Sequence, residues 1–392
     1  MENFEFGFII ESNMDISIFE GVRTPFYYYD RELLERTLDT IDACTAGTPM
    51  RVHYAVKANS DPGVMRIIAG RGYGADCVSG NEIDRAVECG FDPQKIYYAG
   101  VGKTDEEILK GLRHGIGCFN IESMEDIDIL KELAAKEGRK ATVALRVNPN
   151  IDAHTHEYIT TGLKENKFGI DLRMLEEAVR RVRASESLDL GGLHFHIGSQ
   201  ITISEPFKIL CERINELKTR FRLDGVEFRF FNVGGGLGID YDNPDENPIP
   251  DFRTYFDTIL SNLDLDEGQE VHCELGRAIV GQCGSLISRV VLVKQGLEKS
   301  FVIVDAGMSD LLRPALYGAH HKIDNLSAAL GSEMKTYDVV GPICESSDVF
   351  GKGETLPATK RGDLIAFRSA GAYGSAMASR YNMRDLPGSL IK

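Results

Sequence analysis

The chain has 392 residues, of which 43% are hydrophobic, and a formal net charge of −16 at pH 7. This length and composition allow a large buried core and predict two domains, or one large domain with a smaller companion. The acidic balance and the lack of a basic stripe argue against binding to nucleic acids or to anionic membrane surfaces. No apolar run reaches the roughly 18 to 20 residues that span a bilayer, and the first residues lack the features of a signal peptide, so we expect a cytoplasmic protein.

From residue 51 onward, short β-branched or aromatic runs alternate with stretches that carry apolar residues at helical spacing. This alternation predicts βα units around a parallel sheet. Eight such units over about 230 residues fit a (β/α)₈ barrel, whose usual length is about 250 residues, and a doubly wound open sheet is the alternative. The eight predicted strands are "RVHYAVKAN" at 51, "YGADCVS" at 73, "IYYAGVG" at 96, "GIGCFNIE" at 115, "ATVALRVNP" at 141, "LGGLHFHIGS" at 190, "FRFFNVGGGLG" at 228 and "EVHCELGRAIV" at 270.

The positions of the polar residues favour the barrel over the open sheet. They fall late in their strands, and in a barrel the carboxyl ends of all strands open into one mouth, where the chemistry of this fold is built. Packing alone does not explain why so many independent strands contribute there. The residues are Lys57, Asp76, Asn120, Arg146, His196, the glycines from Gly234 and Glu274.

After Val280 the pattern changes to strands with turns and few helical stretches, which predicts a separate β domain. The segment "TPFYYYD" before the first barrel helix could be a strand that returns to this domain. We therefore predict a barrel over 30–280 and a β-barrel or β-sandwich-like domain formed by 1–29 and 281–392. The new strands are "SLISRVVLVKQG", "SFVIVDAGM", "TYDVVGPI" and "GDLIAFRSAGAYG".

The eight cysteines contain no CxxC pair, which fits reduced thiols better than disulfides or structural zinc. Cys344 differs from the others because it lies in a polar loop, "GPICESSD". Two His-x-His pairs, His194 with His196 and His154 with His156, could suggest a metal, but no third ligand is evident. We expect structural or stacking histidines and no metal.

Lys57 ends an apolar strand, where a lysine either turns outward to solvent or is held in a site where burial lowers its pKa. If it faces the barrel mouth together with Glu274 and His196, an amine suited to Schiff-base formation is the better interpretation. Glu274 and Arg277, three residues apart in "HCELGR", could otherwise form a local ion pair.

"NVGGGLG", Asn232 to Gly238, lacks side chains at three successive positions after a strand. Backbone N–H groups there can approach an anion closely, although a tight turn is the simpler explanation. Since neither a Walker loop nor a GxGxxG pattern is present, a nucleotide is not indicated. The seventh strand end of a barrel is a usual phosphate site, so the glycines predict bound phosphate.

A lysine for an aldehyde, a glycine turn for a phosphate, a carboxylate for a ring nitrogen and a histidine against the ring together predict pyridoxal 5'-phosphate. A carboxylate about 4 Å from a pyridinium nitrogen stabilises the protonated ring by roughly 4 kcal/mol at an effective dielectric near 20, or about three pKa units before desolvation. A protonated ring withdraws electrons from the α-carbon of a bound amino acid, so Glu274 predicts carbanion chemistry.

These residues lie in motifs that, over nearly the whole chain, resemble the pyridoxal-phosphate-dependent decarboxylases of the alanine-racemase-like fold, also called fold type III. The motifs occur in the family's order: "HYAVKAN", "GADCVSGNEI", "GLHFHIGSQ", "NVGGGLGI", "ELGRAIVG", "MSDLLRPALYGAHH", "GPICESSDVFGK" and "SAGAYGSAMASRYNMR". In this chain Leu275 stands where many relatives have proline, which removes a fixed φ but leaves the residues around it unchanged.

The resemblance implies that Lys57 forms the Schiff base, His196 stacks on the ring and Glu274 pairs with the ring nitrogen. It also implies roles in binding the cofactor, mainly its phosphate, for Asp76, Ser199, Gly234, Gly235, Gly236, Gly276, Arg277 and Tyr373. The implied substrate site consists of Arg277, Arg313, Tyr317, Glu345 and Tyr373, with Cys344 as the acid that reprotonates the carbanion.

The implied reaction is the decarboxylation of meso-2,6-diaminopimelate to L-lysine and CO₂, the final step of lysine biosynthesis. Cys344 and Glu345 would come from the partner subunit, so that the active site is complete only in a homodimer. The alternatives are a related ornithine, arginine or carboxynorspermidine decarboxylase, an amino-acid racemase, or a non-catalytic relative that keeps the fold to bind a partner. The last is disfavoured because the lysine and the glycines are intact. The role of the 240–251 loop, "DYDNPDENPIPD", is left open.

Overall fold

The computed structural model describes residues 15–149 and 167–392. A short strand, β1 (Phe26–Tyr29), precedes a closed barrel of eight parallel strands. These are β2 (Met50–Ala55), β3 (Gly74–Cys77), β4 (Ile96–Tyr98), β5 (Cys118–Ile121), β6 (Ala141–Arg146), β7 (Leu188–His194), β8 (Phe230–Asn232) and β9 (Glu270–Leu275). Because β9 pairs with β2 and closes the circle, the barrel prediction is confirmed and the open sheet is excluded.

The barrel strands are buried almost completely, which explains why they appear in the sequence as nearly continuous apolar runs. One face packs on the barrel interior and the other on the surrounding helices, as is usual for all-parallel sheets. Val143, Leu145 and Phe231 have no exposed surface. Polar side chains in such strands are therefore costly unless they have partners, and they mark the carboxyl ends of the strands as special.

The helices alternate with the barrel strands as predicted. Several begin at a capping residue: Thr104 and Glu107 form a capping box at the start of the fourth helix, and Gly115, with φ of 68°, ends it. The helices are α1 (Arg31–Thr45), α2 (Pro62–Ala69), α3 (Gly80–Glu88), α4 (Asp105–His114), α5 (Met124–Lys136), α6 (Leu175–Arg183), α7 (Glu205–Leu223), α8 (Phe252–Asn262), α9 (Arg277–Val280) and α10 (Arg313–Tyr317).

A second, eight-stranded sheet follows the barrel. Six of its strands lie in the order β12, β15, β10, β11, β13, β14, while β1 pairs antiparallel with β10 and parallel with β16. The predicted return of "TPFYYYD" to this sheet is thus confirmed. The ranges are β10 (Gly284–Gln295), β11 (Ser300–Val304), β12 (Ile323–Asn325), β13 (Met334–Val340), β14 (Val349–Pro357), β15 (Leu364–Phe367) and β16 (Gly388–Ile391).

The four strands expected after Val280 are present as β10, β11, β13 and β15, whereas β12, β14 and β16 were not foreseen. The division into domains at 30–280 and 281–392 stays a prediction, because strand positions alone do not define units that fold independently. In the two described ranges, no helix is both long and apolar enough to cross a membrane.

Candidate active site

A cavity of about 1430 Å³ lies at the carboxyl ends of the barrel strands and extends to α10 and the loop before β16. It is larger than the range of roughly 300 to 1,000 Å³ typical of single small-molecule sites, so it has room for a cofactor and a substrate together. Eight predicted site residues line it: Lys57, His196, Ser199, Glu274, Arg277, Arg313, Tyr317 and Tyr373.

Lys57 lies in a short 3₁₀ turn, Val56–Ala58, directly after β2. Its side chain is 37% exposed and its Nζ donates to Asp76 Oδ2 at 3.3 Å. Gly276 allows the start of α9 to approach this turn, since a Cβ there would lie 2.9 Å from Ala58 Cβ. Tyr373 N–H donates to Ala58 O at 2.8 Å, so the β-rich part of the chain also holds the turn. Lys57 therefore faces the cavity from a turn whose backbone is fixed by contacts to Gly276 and Tyr373.

The expected net lowering of the Lys57 pKa is wrong for this chain. Burial does favour the neutral amine, but the negative charge of Asp76, with further contributions from Tyr373 and Glu274, outweighs it and raises the pKa above its usual value. For Asp76, burial and the negative charge of Glu274 raise the pKa of the carboxyl group. The positive charge of Lys57 lowers it, but by less. The charge of Asp76 thus raises the pKa of the Lys57 amine, and the charge of Lys57 lowers the pKa of the Asp76 carboxyl group.

Glu274, near the end of β9, is held by side chains from three other strands. Asn232 Nδ2 donates to Oε1 at 2.7 Å, Asn120 Nδ2 approaches the same oxygen at 3.5 Å, and His194 Nε2 lies 3.1 Å from Oε2. Burial would raise the pKa of Glu274, but His194 and the charge of Lys57 lower it well below its usual range. The carboxylate is therefore ionised and fixed in orientation.

His194 was missed as a site residue. The His-x-His spacing correctly suggested that both imidazoles share a face, yet only His196 was assigned a role. His194 is 1% exposed and contacts a residue 80 positions away. In the described part of the chain no group of three or more His, Cys, Asp and Glu is placed to hold a metal, and the pair His154 and His156 lies outside the described residues.

The glycine turn after β8 packs more tightly than the sequence suggested. A Cβ on Gly234 would lie 2.3 Å from Phe195 O, and one on Gly235 would lie 2.1 Å from Glu274 O. Both amides have acceptors within the protein, Asn232 Oδ1 at 2.9 Å for Gly234 and His196 Nδ1 at 3.4 Å for Gly235. These two glycines therefore allow the turn to pack closely against the residue that follows β7 and against β9. Their predicted contacts to phosphate stay a prediction.

Ser199, Arg277 and Tyr373 line the cavity close to this turn, whereas Gly234, Gly235 and Gly236 do not. Gly236 has φ of +116°, a conformation that suits glycine, and a Cβ there would lie 2.9 Å from Gly198 O. Arg277 NH2 donates to Ser199 Oγ at 3.1 Å, and its guanidinium lies 4.8 Å from the centre of the Tyr373 ring. The Arg277 cation and the Ser199 hydroxyl form a donor pair suited to an anion.

The polar groups left over at the barrel mouth fit pyridoxal phosphate. Buried atoms with no hydrogen-bond partner in the described ranges include Asp76 Oδ1, Asn120 Oδ1, His194 Nδ1 and Arg277 Nε. Buried polar atoms normally have partners, so a polar ligand is the expected complement. The lysine amine, the ionised carboxylate and the pair of Arg277 and Ser199 match the aldehyde, ring nitrogen and phosphate of this cofactor in chemical type.

Cys344 and Glu345 do not line the cavity of their own chain. Cys344 is exposed, and its amide donates to Asn382 Oδ1 at 3.1 Å. Glu345 accepts a hydrogen bond from the Tyr381 hydroxyl at 2.7 Å. The other seven cysteines are buried free thiols.

The barrel and the residues at its mouth define an enzyme of the pyridoxal-dependent decarboxylase class. A family model described as the pyridoxal binding domain of pyridoxal-dependent decarboxylases matches residues 31–281. Diaminopimelate decarboxylase from Bacteroides thetaiotaomicron is 53% identical over 95% of this chain and 96% of its own, and that from Vibrio cholerae is 42% identical over 92% and 85%.

Solved structures lead to the same group of proteins. Diaminopimelate decarboxylase from Helicobacter pylori, in complex with L-lysine, superposes with a TM-score of 0.90 at 40% identity and covers 96% of this chain and 93% of its own. The chain belongs to the diaminopimelate decarboxylase family of pyridoxal-dependent decarboxylases.

Proposed function

We propose that the protein converts meso-2,6-diaminopimelate to L-lysine and CO₂ with pyridoxal phosphate, and that it does so in the cytoplasm as the final step of lysine biosynthesis. The observation that carries the choice of substrate is the pair of largely buried arginines, Arg277 and Arg313, at one cavity wall. A substrate that keeps a carboxylate after losing CO₂ supplies an anion for this pair. The relatives that bear this activity in their names, and the L-lysine bound to one of them, support the proposal.

The assignment of roles follows the geometry of the cavity. Lys57 would hold the cofactor through its aldehyde, with the Asp76 carboxyl group 3.3 Å from its amine. Glu274 would hold a proton at the ring nitrogen, and His196 would cover the ring. Pyridoxal phosphate, when bound, withdraws electrons from the substrate's α-carbon and so makes the bond to the leaving carboxylate breakable.

The phosphate would be held by the turn around Gly236 with Ser199, Arg277 and Tyr373. Arg277 contacts Ser199 on one side and Tyr241, beside Arg313, on the other. It could therefore bind both the phosphate and the substrate's carboxylate. Arg313 would pair with the retained carboxylate, since guanidinium groups suit bidentate binding of carboxylates. Tyr317, at the end of α10, lies on the same wall.

The first test compares substrates. We expect purified, cofactor-loaded protein to release CO₂ from meso-diaminopimelate and to discriminate against ornithine, arginine and lysine by about 10² or more in kcat/KM. Those compounds leave the second carboxylate site empty, and unpaired buried charges cost several kcal/mol. Faster CO₂ release from ornithine or arginine would show that the substrate assignment is wrong. Racemisation without CO₂ release would point to the racemase alternative.

We further propose that the active site is shared between two subunits of a homodimer. Glu345 would bind the substrate's ammonium, and Cys344 would return a proton to the α-carbon in the other subunit's cavity. Both residues lie on the surface and outside their own chain's cavity, which agrees with such an arrangement. Cyclic two-fold dimers are the commonest soluble oligomers.

Mixing two inactive variants tests the shared site. Lys57→Ala and Cys344→Ala should each be severely impaired as homodimers. After denaturation and refolding together, heterodimers carry one intact site and one doubly defective site, so random pairing should restore about a quarter of wild-type activity. A mixture of Lys57→Ala with Lys57→Arg is the control and should restore none. If the first mixture also stays inactive although heterodimers form, the two residues do not act in trans.

A further inference from the structure

Tyr241, in the 240–251 loop, lies between two arginines at the cavity wall. Its hydroxyl accepts a hydrogen bond from Arg277 NH1. Its ring centre lies 4.7 Å from the guanidinium carbon of Arg313 and 5.8 Å from that of Arg277. Such distances are those of cation–π contacts, which are strongest where water is excluded. One side chain thus contacts both cations.

Two largely buried cations at the same wall repel one another, and each is 7% exposed. Burial, together with the positive charge of Arg277, lowers the pKa of Arg313, while Tyr241 acts in the opposite direction. The negative face of an aromatic ring between two guanidinium groups offsets part of this repulsion. Tyr241 therefore makes the close arrangement of the arginines less costly.

His321 fixes Arg313 from the other side. Its Nδ1 lies 2.8 Å from Arg368 O, a carbonyl that can only accept, so Nδ1 carries the hydrogen. Its Nε2 is then free to accept from Arg313 NH1 at 2.8 Å. Burial lowers the pKa of His321 to about 3, with the charge of Arg313 as the next cause, so this histidine is neutral. Its ring also meets that of Tyr241 edge to face, with centres 5.3 Å apart.

The 240–251 loop is tied to the part of the chain that follows the barrel. Asp245 accepts from Lys322 Nζ at 2.6 Å and from Arg368 NH2 at 2.8 Å. Gln282 Nε2 donates to Asp240 O at 3.0 Å and to Asn247 O at 2.8 Å. These contacts hold Tyr241 at a fixed place rather than on a free surface loop.

From these contacts we infer that Tyr241 is a positioning residue that aligns Arg277 and Arg313 on one carboxylate and thereby sets the preference for a substrate with a second carboxylate. The inference rests on the proposed function and deepens it. It also gives the 240–251 loop a role: the loop presents Tyr241 to the arginines and is anchored by Asp245 to do so.

Two substitutions of Tyr241 test the inference in the cofactor-loaded protein. Tyr241→Leu removes ring and hydroxyl, and Tyr241→Phe removes the hydroxyl that Arg277 contacts but keeps the ring beside Arg313. The measurements are kcat and KM for meso-diaminopimelate and the competitive inhibition constants of L-lysine and cadaverine. Cadaverine is L-lysine without its carboxylate. Its inhibition constant therefore reports on binding of the carbon chain and the amines, but not on recognition of the carboxylate.

For Tyr241→Leu we expect KM and the L-lysine inhibition constant to rise by about tenfold or more, from the loss of a desolvated cation–π contact and a charged hydrogen bond. The kcat should stay within about threefold of wild type and the cadaverine constant should not change. Tyr241→Phe should lie between wild type and Tyr241→Leu, and it keeps the test decisive if the leucine variant folds poorly. Glu246→Gln, an exposed change in the same loop, is the matched control and should match wild type.

The outcomes separate this inference from the proposed function. A wild-type protein that releases no CO₂ from meso-diaminopimelate overturns the proposed function, and the inference that depends on it falls too. An active wild type with unchanged KM and L-lysine inhibition in both Tyr241 variants overturns the inference alone. Equal weakening of L-lysine and cadaverine also overturns it, because a general distortion of the cavity would then explain the result.

Discussion

Lys57→Ala should abolish CO₂ release from meso-diaminopimelate, with a fall in kcat of at least about 10⁴-fold. Removing the nucleophile from an enzyme that works through a covalent bond to its cofactor costs rate enhancements of this order. The variant should also lose the visible absorbance that the bound cofactor gives the wild type. Reduction of the wild type with borohydride, followed by proteolysis and mass spectrometry, should place the cofactor on the peptide that contains Lys57.

Lys57→Arg is the matched control for charge. It keeps a cation beside the buried carboxylate of Asp76, so it should fold like the wild type. A guanidinium, however, does not form a Schiff base with the aldehyde of the cofactor. We expect it to be as inactive as Lys57→Ala. Substantial activity in either variant, or a cofactor attached to another lysine after reduction, would show that the assignment of Lys57 is mistaken.

The barrel could be predicted from the sequence because each βα unit carries its own local signal. The eight strands are buried on both faces and largely apolar, since helices cover the outside, and their regular spacing leaves few other folds. The polar residues at the strand ends then stand out against that apolar background. Lys57, His196 and Glu274 were selected in this way, from residue type and position in a strand, and all three line the cavity.

Part of the second sheet was harder to predict, because its strands carry weaker local signals. The segment Val349–Pro357 forms β14 although it contains two glycines and two charged residues, and Ile323–Asn325 is only three residues long. These strands exist because neighbours pair with them, as β13 does along most of β14. Pairing between distant segments overrides local preference and leaves no periodic pattern to detect.

Contacts across the barrel were also beyond the sequence. The pairing of His194 with Glu274 joins residues 80 positions apart, and Tyr241 contacts Arg313 because the 240–251 loop and α10 line the same cavity. The sign of the Lys57 pKa shift depended on the same kind of information. Burial alone lowers the pKa of a lysine, whereas Lys57, partly buried and 3.3 Å from Asp76, has a raised pKa.

Glu274→Gln is the substitution expected to have the second-largest effect, with a fall in kcat of about 10³-fold. A neutral amide keeps the size of the side chain but no longer holds a proton at the ring nitrogen. The lost interaction between the carboxylate and the protonated ring nitrogen contributes roughly 4 kcal/mol before desolvation, which corresponds to about three orders of magnitude in rate. Since Asn232 donates to one oxygen of Glu274, glutamine can keep that hydrogen bond, and the variant should fold.

The spectrum of the bound cofactor distinguishes loss of the proton from loss of structure. Titration of the visible absorbance with pH should show that the cofactor in Glu274→Gln is deprotonated at a lower pH than in the wild type, while the cofactor's dissociation constant changes far less than kcat. Glu270→Gln is a matched control on the same strand, because Glu270 begins β9 and pairs with Arg51 at 2.8 Å, outside the cavity. It should keep both the rate and the titration of the wild type. If Glu274→Gln retains more than about a tenth of the wild-type kcat, the carboxylate does not act on the ring, and the network of His194, Asn232 and Asn120 around it serves only the packing of the barrel.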